Sequence, residues 1–153
     1  MNERVMAYKE AGHAVAAHML GVRAEVSLDP RESFGRRLID TSDRWKNWNR
    51  TPDALLRSQR QNEALVYLCG VEAVGDDYDV DESLRSDDLE WVRVSARRLA
   101  RRYDFGPMVD ALAEALQVHE NLSADEVETI VATVRRRLDR IHMTEAFGVA
   151  ASN

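Results

Sequence analysis

The stretch from Glu3 to Leu20 constrains this chain more than any other. Its apolar and small residues recur at helical steps, and its middle carries a metal-binding pattern with one ligand replaced. Val5, Tyr8, Gly12, Val15, Ala16 and Met19 fall three or four residues apart, with Asn2 before them as an N-cap and Gly21 after them as a stop. Inside this helix, Lys9-Glu10-Ala11-Gly12-His13 reads as His-Glu-x-x-His with lysine in first place. The first and fifth positions of such a run share one helix face, so two imidazoles there can hold Zn²⁺ while the glutamate activates its water. An ammonium has three donors and no lone pair, and it keeps its proton up to about pH 10.4, so Lys9 is no metal ligand.

From Val22 the period changes to two. Val22, Ala24, Val26 and Leu28 alternate with polar residues up to the Asp29-Pro30 turn, which predicts a short strand, and Arg36 to Thr41 offers a partner for it. Ser42 to Arg50 reads as a loop. Thr51-Pro52-Asp53 opens a second long helix expected to run to about Val74, where Gly70 either admits a close neighbour or bends the helix. The acidic run Gly75 to Glu82 lacks the spacing of a calcium loop and reads as a solvated connector. Ser86 caps a third helix expected over Asp87 to Tyr103, with Leu89, Val92, Ala96, Leu99 and Tyr103 on its inner face. Pro107 starts a fourth, ending near His119. The capping box Ser123-Ala124-Asp125-Glu126 opens a fifth, expected to reach about His142. The expectation is a mostly α domain over residues 1–147, with a small two-stranded β element after the first helix and a frayed tail over 148–153.

At 153 residues, 44% hydrophobic and 31% charged, the chain has the composition of a single globular domain. It shows neither an apolar run long enough for a membrane span nor a signal-peptide pattern, so a cytoplasmic protein without a membrane partner is expected. Cys69 is the single cysteine and lies in the apolar run Leu65 to Cys69, which predicts a buried, inert thiol. Arginines stripe the third helix at Arg93, Arg97, Arg98, Arg101 and Arg102, and the last one at Arg135, Arg136, Arg137 and Arg140. With a net charge of −6 and no nucleic-acid motif, these read as solvated faces, and no nucleic-acid partner is expected.

Tyr8-Lys9-Glu10-Ala11-Gly12-His13-Ala14-Val15-Ala16-Ala17-His18-Met19-Leu20 resembles the catalytic helix of the FtsH-type ATP-dependent zinc metalloproteases. The likeness continues in chain order. Val26-Ser27-Leu28 and Arg36 to Thr41 are similar to that family's short strands, and Leu68-Cys69-Gly70-Val71-Glu72-Ala73 to its glycine-rich helix segment. Ser86-Asp87-Asp88-Leu89 with Ala96-Arg97-Arg98-Leu99 resembles the helix that supplies the third zinc ligand, which ungapped matching places at Asp88. Ala111 to Leu116 with Glu120, Leu122 and Glu126 resembles the last helix pair. Three departures stand out. No Gly-x-x-x-x-Gly-Lys-[Ser/Thr] phosphate loop occurs, so no nucleotide is expected and any unfolding motor would be a separate protein. Val74 stands where the family tends to have an acid. Lys9 leaves only His13 and Asp88 as ligands, against the usual three protein groups plus water.

The expectation is then a stand-alone peptidase-like domain with a degenerate metal site, without proteolytic activity and with no resident cofactor, which leaves a binding or regulatory role for which a protein or peptide is a possible partner. The alternative is an active small zinc peptidase with His13 and Asp88 on the metal and Glu10 as general base, recruiting His18 or a carboxylate of the Asp76 to Glu82 loop as a further ligand. For the degenerate site, Lys9 is expected to fill the metal position within salt-bridge reach of Asp88 or Glu10, with His13 bonded to one of those carboxylates.

Overall fold

A computed structural model describes residues 2–21, 23–29, 31, 38–39, 65–75 and 86–146, with backbone alone at 38–39, 86–89 and 146. The first helix, α1, spans Glu3–Met19 and forms as its periodicity requires. The Asn2 side chain accepts the Arg4 amide at 3.0 Å, satisfying one of the donors a helix start leaves open. Gly21, at φ +76°, turns the chain out after the C-cap residue Leu20. α1 buries Ala7 and every residue from Ala11 to Ala17, all of them small except His13 and Val15. Other backbones can therefore come close to it on more than one side.

Two short strands follow, β1 (Arg23–Ala24) and β2 (Val26–Ser27). The expected alternation holds over Ala24, Glu25 and Val26, the two apolar residues being buried at either side of exposed Glu25, and breaks at Ser27, which is buried as well. β1 pairs antiparallel with β3 (Leu38–Ile39) in the register Arg23 to Ile39 and Ala24 to Leu38, which is the two-stranded element anticipated after α1. β2 makes a second antiparallel pair, with β4 (Asn121–Leu122), and the Leu28 amide extends it by donating to the Glu120 carbonyl at 2.9 Å. That second pair closes residues near the start of the chain onto residues near its end.

The next described helix, α2, covers 65–74 and ends at Gly75, where φ is +70°. Its expected start at Thr51, like the Ser42 to Arg50 loop, the Asp76 to Glu82 run and the tail from Gly148, lies outside the described residues. α3 spans Ser86–Ala100, one turn short of the expected end at Tyr103. Tyr103 is 56% exposed instead of packed inward, because the chain leaves the helix in turns closed by Arg101 on Arg97 and Arg102 on Leu99. Val92 and Ala96 do face the core.

α4 runs Phe105–His119, starting two residues before Pro107, which sits in its first turn where a missing amide costs nothing. α5 runs Ala124–Ala146, about one turn beyond the expected His142. The first half of its capping box forms, the Ser123 hydroxyl accepting the Glu126 amide at 3.2 Å, while the Glu126 carboxylate accepts from that hydroxyl at 3.1 Å. The core joins α1, α2 and the inner faces of α3, α4 and α5, with Leu68, Met108, Leu112, Leu116 and Val131 among its largest fully buried side chains. No described helix is long and apolar enough to cross a membrane.

Candidate functional site around Lys9, Glu10 and His13

α1 presents Lys9, Glu10 and His13 toward α2, and two glycines set how close the helices come. A Cβ built on Gly12 would lie 2.8 Å from the Ala73 Cβ and 2.9 Å from the Cys69 carbonyl oxygen. A Cβ built on Gly70 would lie 2.0 Å from His13 Cδ2, 2.2 Å from His13 Nε2 and 2.7 Å from the Lys9 carbonyl oxygen. No real side chain tolerates those distances, so Gly70 admits a close neighbour; of the two roles open to it, this is the one that operates. The space it leaves is occupied by the Cδ2–Nε2 edge of the His13 imidazole.

His13 is only 2% exposed. Its Nδ1 lies 3.5 Å from Glu10 Oε2, one turn back on the same helix, and its ring stacks on Tyr67 at 5.7 Å between centroids and 22° between planes. Glu10 and His13 each have further interactions besides these. The Lys9 ammonium lies 5.5 Å from the centroid of the same Tyr67 ring, within cation–π range. Among the described residues no carboxylate is ion-paired with Lys9, so the expected pairing with Glu10 does not form. The reason is local: Glu10 turns toward His13, and the ring of Tyr67 offers the ammonium a negative face.

Tyr67 is the residue that sequence reasoning missed. It stands in the apolar run Leu65 to Cys69 and reads there as core, yet it is 45% exposed while Leu65, Val66, Leu68 and Cys69 are buried. Helical phase was the available signal: a run of five wraps the helix, so one member must face outward. Cys69 is buried as expected, its thiol 3.9 Å from the Ala96 carbonyl. Burial, with Glu72 adding a smaller effect, pushes that thiol up to about 12.

The remaining candidates divide. Asp88 lies in the first turn of α3, and its side chain is outside the described set. His18, a candidate extra ligand, directs its Nδ1 to Glu128 of α5 at 3.2 Å. The Asp76 to Glu82 carboxylates are outside the described residues. Among the described residues no group of His, Cys, Asp and Glu gathers in numbers that would hold a metal. Within the Lys9 to His13 run, the first residue offers an ammonium with no lone pair, and the Cδ2–Nε2 edge of His13 is seated against Gly70. What the arrangement offers is a half-buried cation on an exposed aromatic ring, beside a closed imidazole and a carboxylate. No family model, curated protein or solved structure matches the chain.

Proposed function

We propose that this chain is a binding or regulatory protein on a scaffold of the FtsH peptidase type, with a protein or peptide as its partner. Its metal position is given over to side-chain packing. The resemblance in sequence order supplies the scaffold, and one observation carries the loss of metal: Lys9 and His13, the two positions that would both ligate zinc from α1, converge on the Tyr67 ring. A Zn²⁺ ion there would lie beside a positive charge and lack one of the three protein ligands a catalytic site uses. Glu10, without a metal-bound water to deprotonate, acts as the partner of His13 and not as a general base.

Elemental analysis of protein purified without added zinc or chelator tests this reading. Zinc well below one per chain, together with no cleavage of an unfolded substrate such as casein, is the expected result. One zinc per chain, lost on chelation together with proteolysis, would overturn it. Lys9→His supplies the complementary arm: an imidazole one turn from His13 should raise zinc affinity about tenfold or more over the parent. If the variant binds zinc no better, the α1 face is not a lost metal site and the scaffold assignment falls with it.

A further inference from the structure

The two arginine stripes, separate in sequence, meet at one buried carboxylate. Asp104, in the turn after α3, is 2% exposed, and Arg102 grips it with Nε at 3.1 Å and Nη2 at 3.0 Å. Arg135 of α5 reaches the same carboxylate, its Nη2 3.6 Å from Oδ2. Two helical turns further along that face of α5, His142 meets Tyr103 edge-on at 4.7 Å between ring centroids. The turn is therefore held to α5 at two points. Two guanidiniums on one carboxylate leave a positive excess at this seam, and Arg101, three residues before Asp104, and Arg98, three residues before that, stand exposed. Trp91 and Val94, 43% and 38% exposed, add apolar surface to the same helix.

We propose that this seam between the end of α3 and α5 is a docking surface for an acidic peptide segment of a partner protein. Guanidinium forks match carboxylates in bidentate geometry, and this chain uses arginine for all of its basic residues except Lys9 and Lys46. Trp and Arg are the side chains on which protein interfaces most often depend, and Trp91 gives an apolar anchor two turns before Arg98 on the same face of α3. The exposed apolar surface of Trp91 and Val94 is something a peptide's aliphatic side chains can cover and a phosphate backbone cannot, which favours a protein segment over a nucleic-acid strand. The surface is distinct from the Lys9–Tyr67 site, and the proposal does not depend on the metal reading.

The test uses the full chain at physiological salt, titrated with a labelled peptide of repeated Glu-Glu-Leu triplets about twenty residues long. Saturable binding is expected, weakened about tenfold or more by Arg98→Glu/Arg101→Glu and unchanged by Arg4→Glu, an exposed arginine on α1. If the charge reversal unfolds the protein by circular dichroism, Arg98→Gln/Arg101→Gln takes its place, with a weakening of the same sign. No saturable binding, equal affinity in the double variant, or tighter binding of an oligothymidylate of matched length would overturn the proposal.

Discussion

Gly70 and Cys69 are neighbours on α2, and each is fixed by what lies against it. Adding a methyl group at Gly70 would drive it into the His13 ring at 2.0 Å and the Lys9 carbonyl at 2.7 Å. The ring can move, but the carbonyl belongs to α1 and cannot. Gly70→Ala should therefore cost at least the about 1–3 kcal/mol typical of overpacking, and His13→Ala should recover only part of that loss. Urea denaturation of the two single variants and the double variant checks this; a neutral Gly70→Ala would mean that the helices do not approach as described. At Cys69 the effect is on pH. An unfolded thiol ionises near about 8.5 and the buried one only near about 12, so the folded state holds a proton that the unfolded state gives up. The contribution is fully present below the unfolded value and is lost as pH rises toward the folded one. Between those values the parent's stability should fall with pH more steeply than that of Cys69→Ala, by up to one proton's worth of slope; identical slopes would show that the thiol is not buried.

Helix termini carry the local chemistry of the fold, and most of them could be read in advance. Asn2 and Gly21 bracket α1, Ser123 with Glu126 starts α5, and Gly75 ends α2, because capping is a contest among neighbouring backbone groups that the local sequence decides. What could not be read are the contacts across the chain. β2 pairs with β4 through Val26 to Leu122 and Ser27 to Asn121, and β4, two residues long, has no periodicity of its own to announce it. Lysine in the first place of a His-Glu-x-x-His-like run was legible, but its settling on Tyr67 was not, since that depends on the phase of α2 against α1. One terminus contradicts local rules. Glu120 closes α4 at φ +61°, the one non-glycine residue with positive φ among those described, while its carbonyl accepts the Leu28 amide. Glycine meets no Cβ penalty there, so Glu120→Gly should stabilise the protein by about 0.5–1 kcal/mol while leaving the β2–β4 pair intact. A rise in the urea midpoint at constant m-value is the expected observation; a fall would mean that the Glu120 side chain has a role that outweighs its backbone strain.

Across the whole molecule, α1 is the element that ties the ends of the chain together. It packs on α4, leads into the strands that pair with β3 and β4, and sends His18 to Glu128 of α5, while Arg23 of β1 pairs with Asp125 at the start of that helix. Both His18–Glu128 and Arg23–Asp125 are partly or largely exposed and add little on their own, so the bond between N-terminal and C-terminal halves rests on the shared apolar core. Ala7, Ala11 and Val15 of α1 belong to the same cluster as Leu112 and Leu116 of α4, Val131 of α5 and Leu68 of α2. No half of that cluster can be exposed without opening the other, which predicts one cooperative transition. Cys69, fully buried at the junction of α2 with α3, reports on that transition directly. In a urea series, the fraction of chains whose thiol reacts rapidly with a disulfide reagent should rise at the same midpoint as helical circular dichroism falls. Thiol reactivity appearing well below the loss of helicity would show that α2 separates from α1 and α3 as an independent unit, and the close packing at Gly12 and Gly70 would then be too weak to hold Lys9 and His13 on Tyr67.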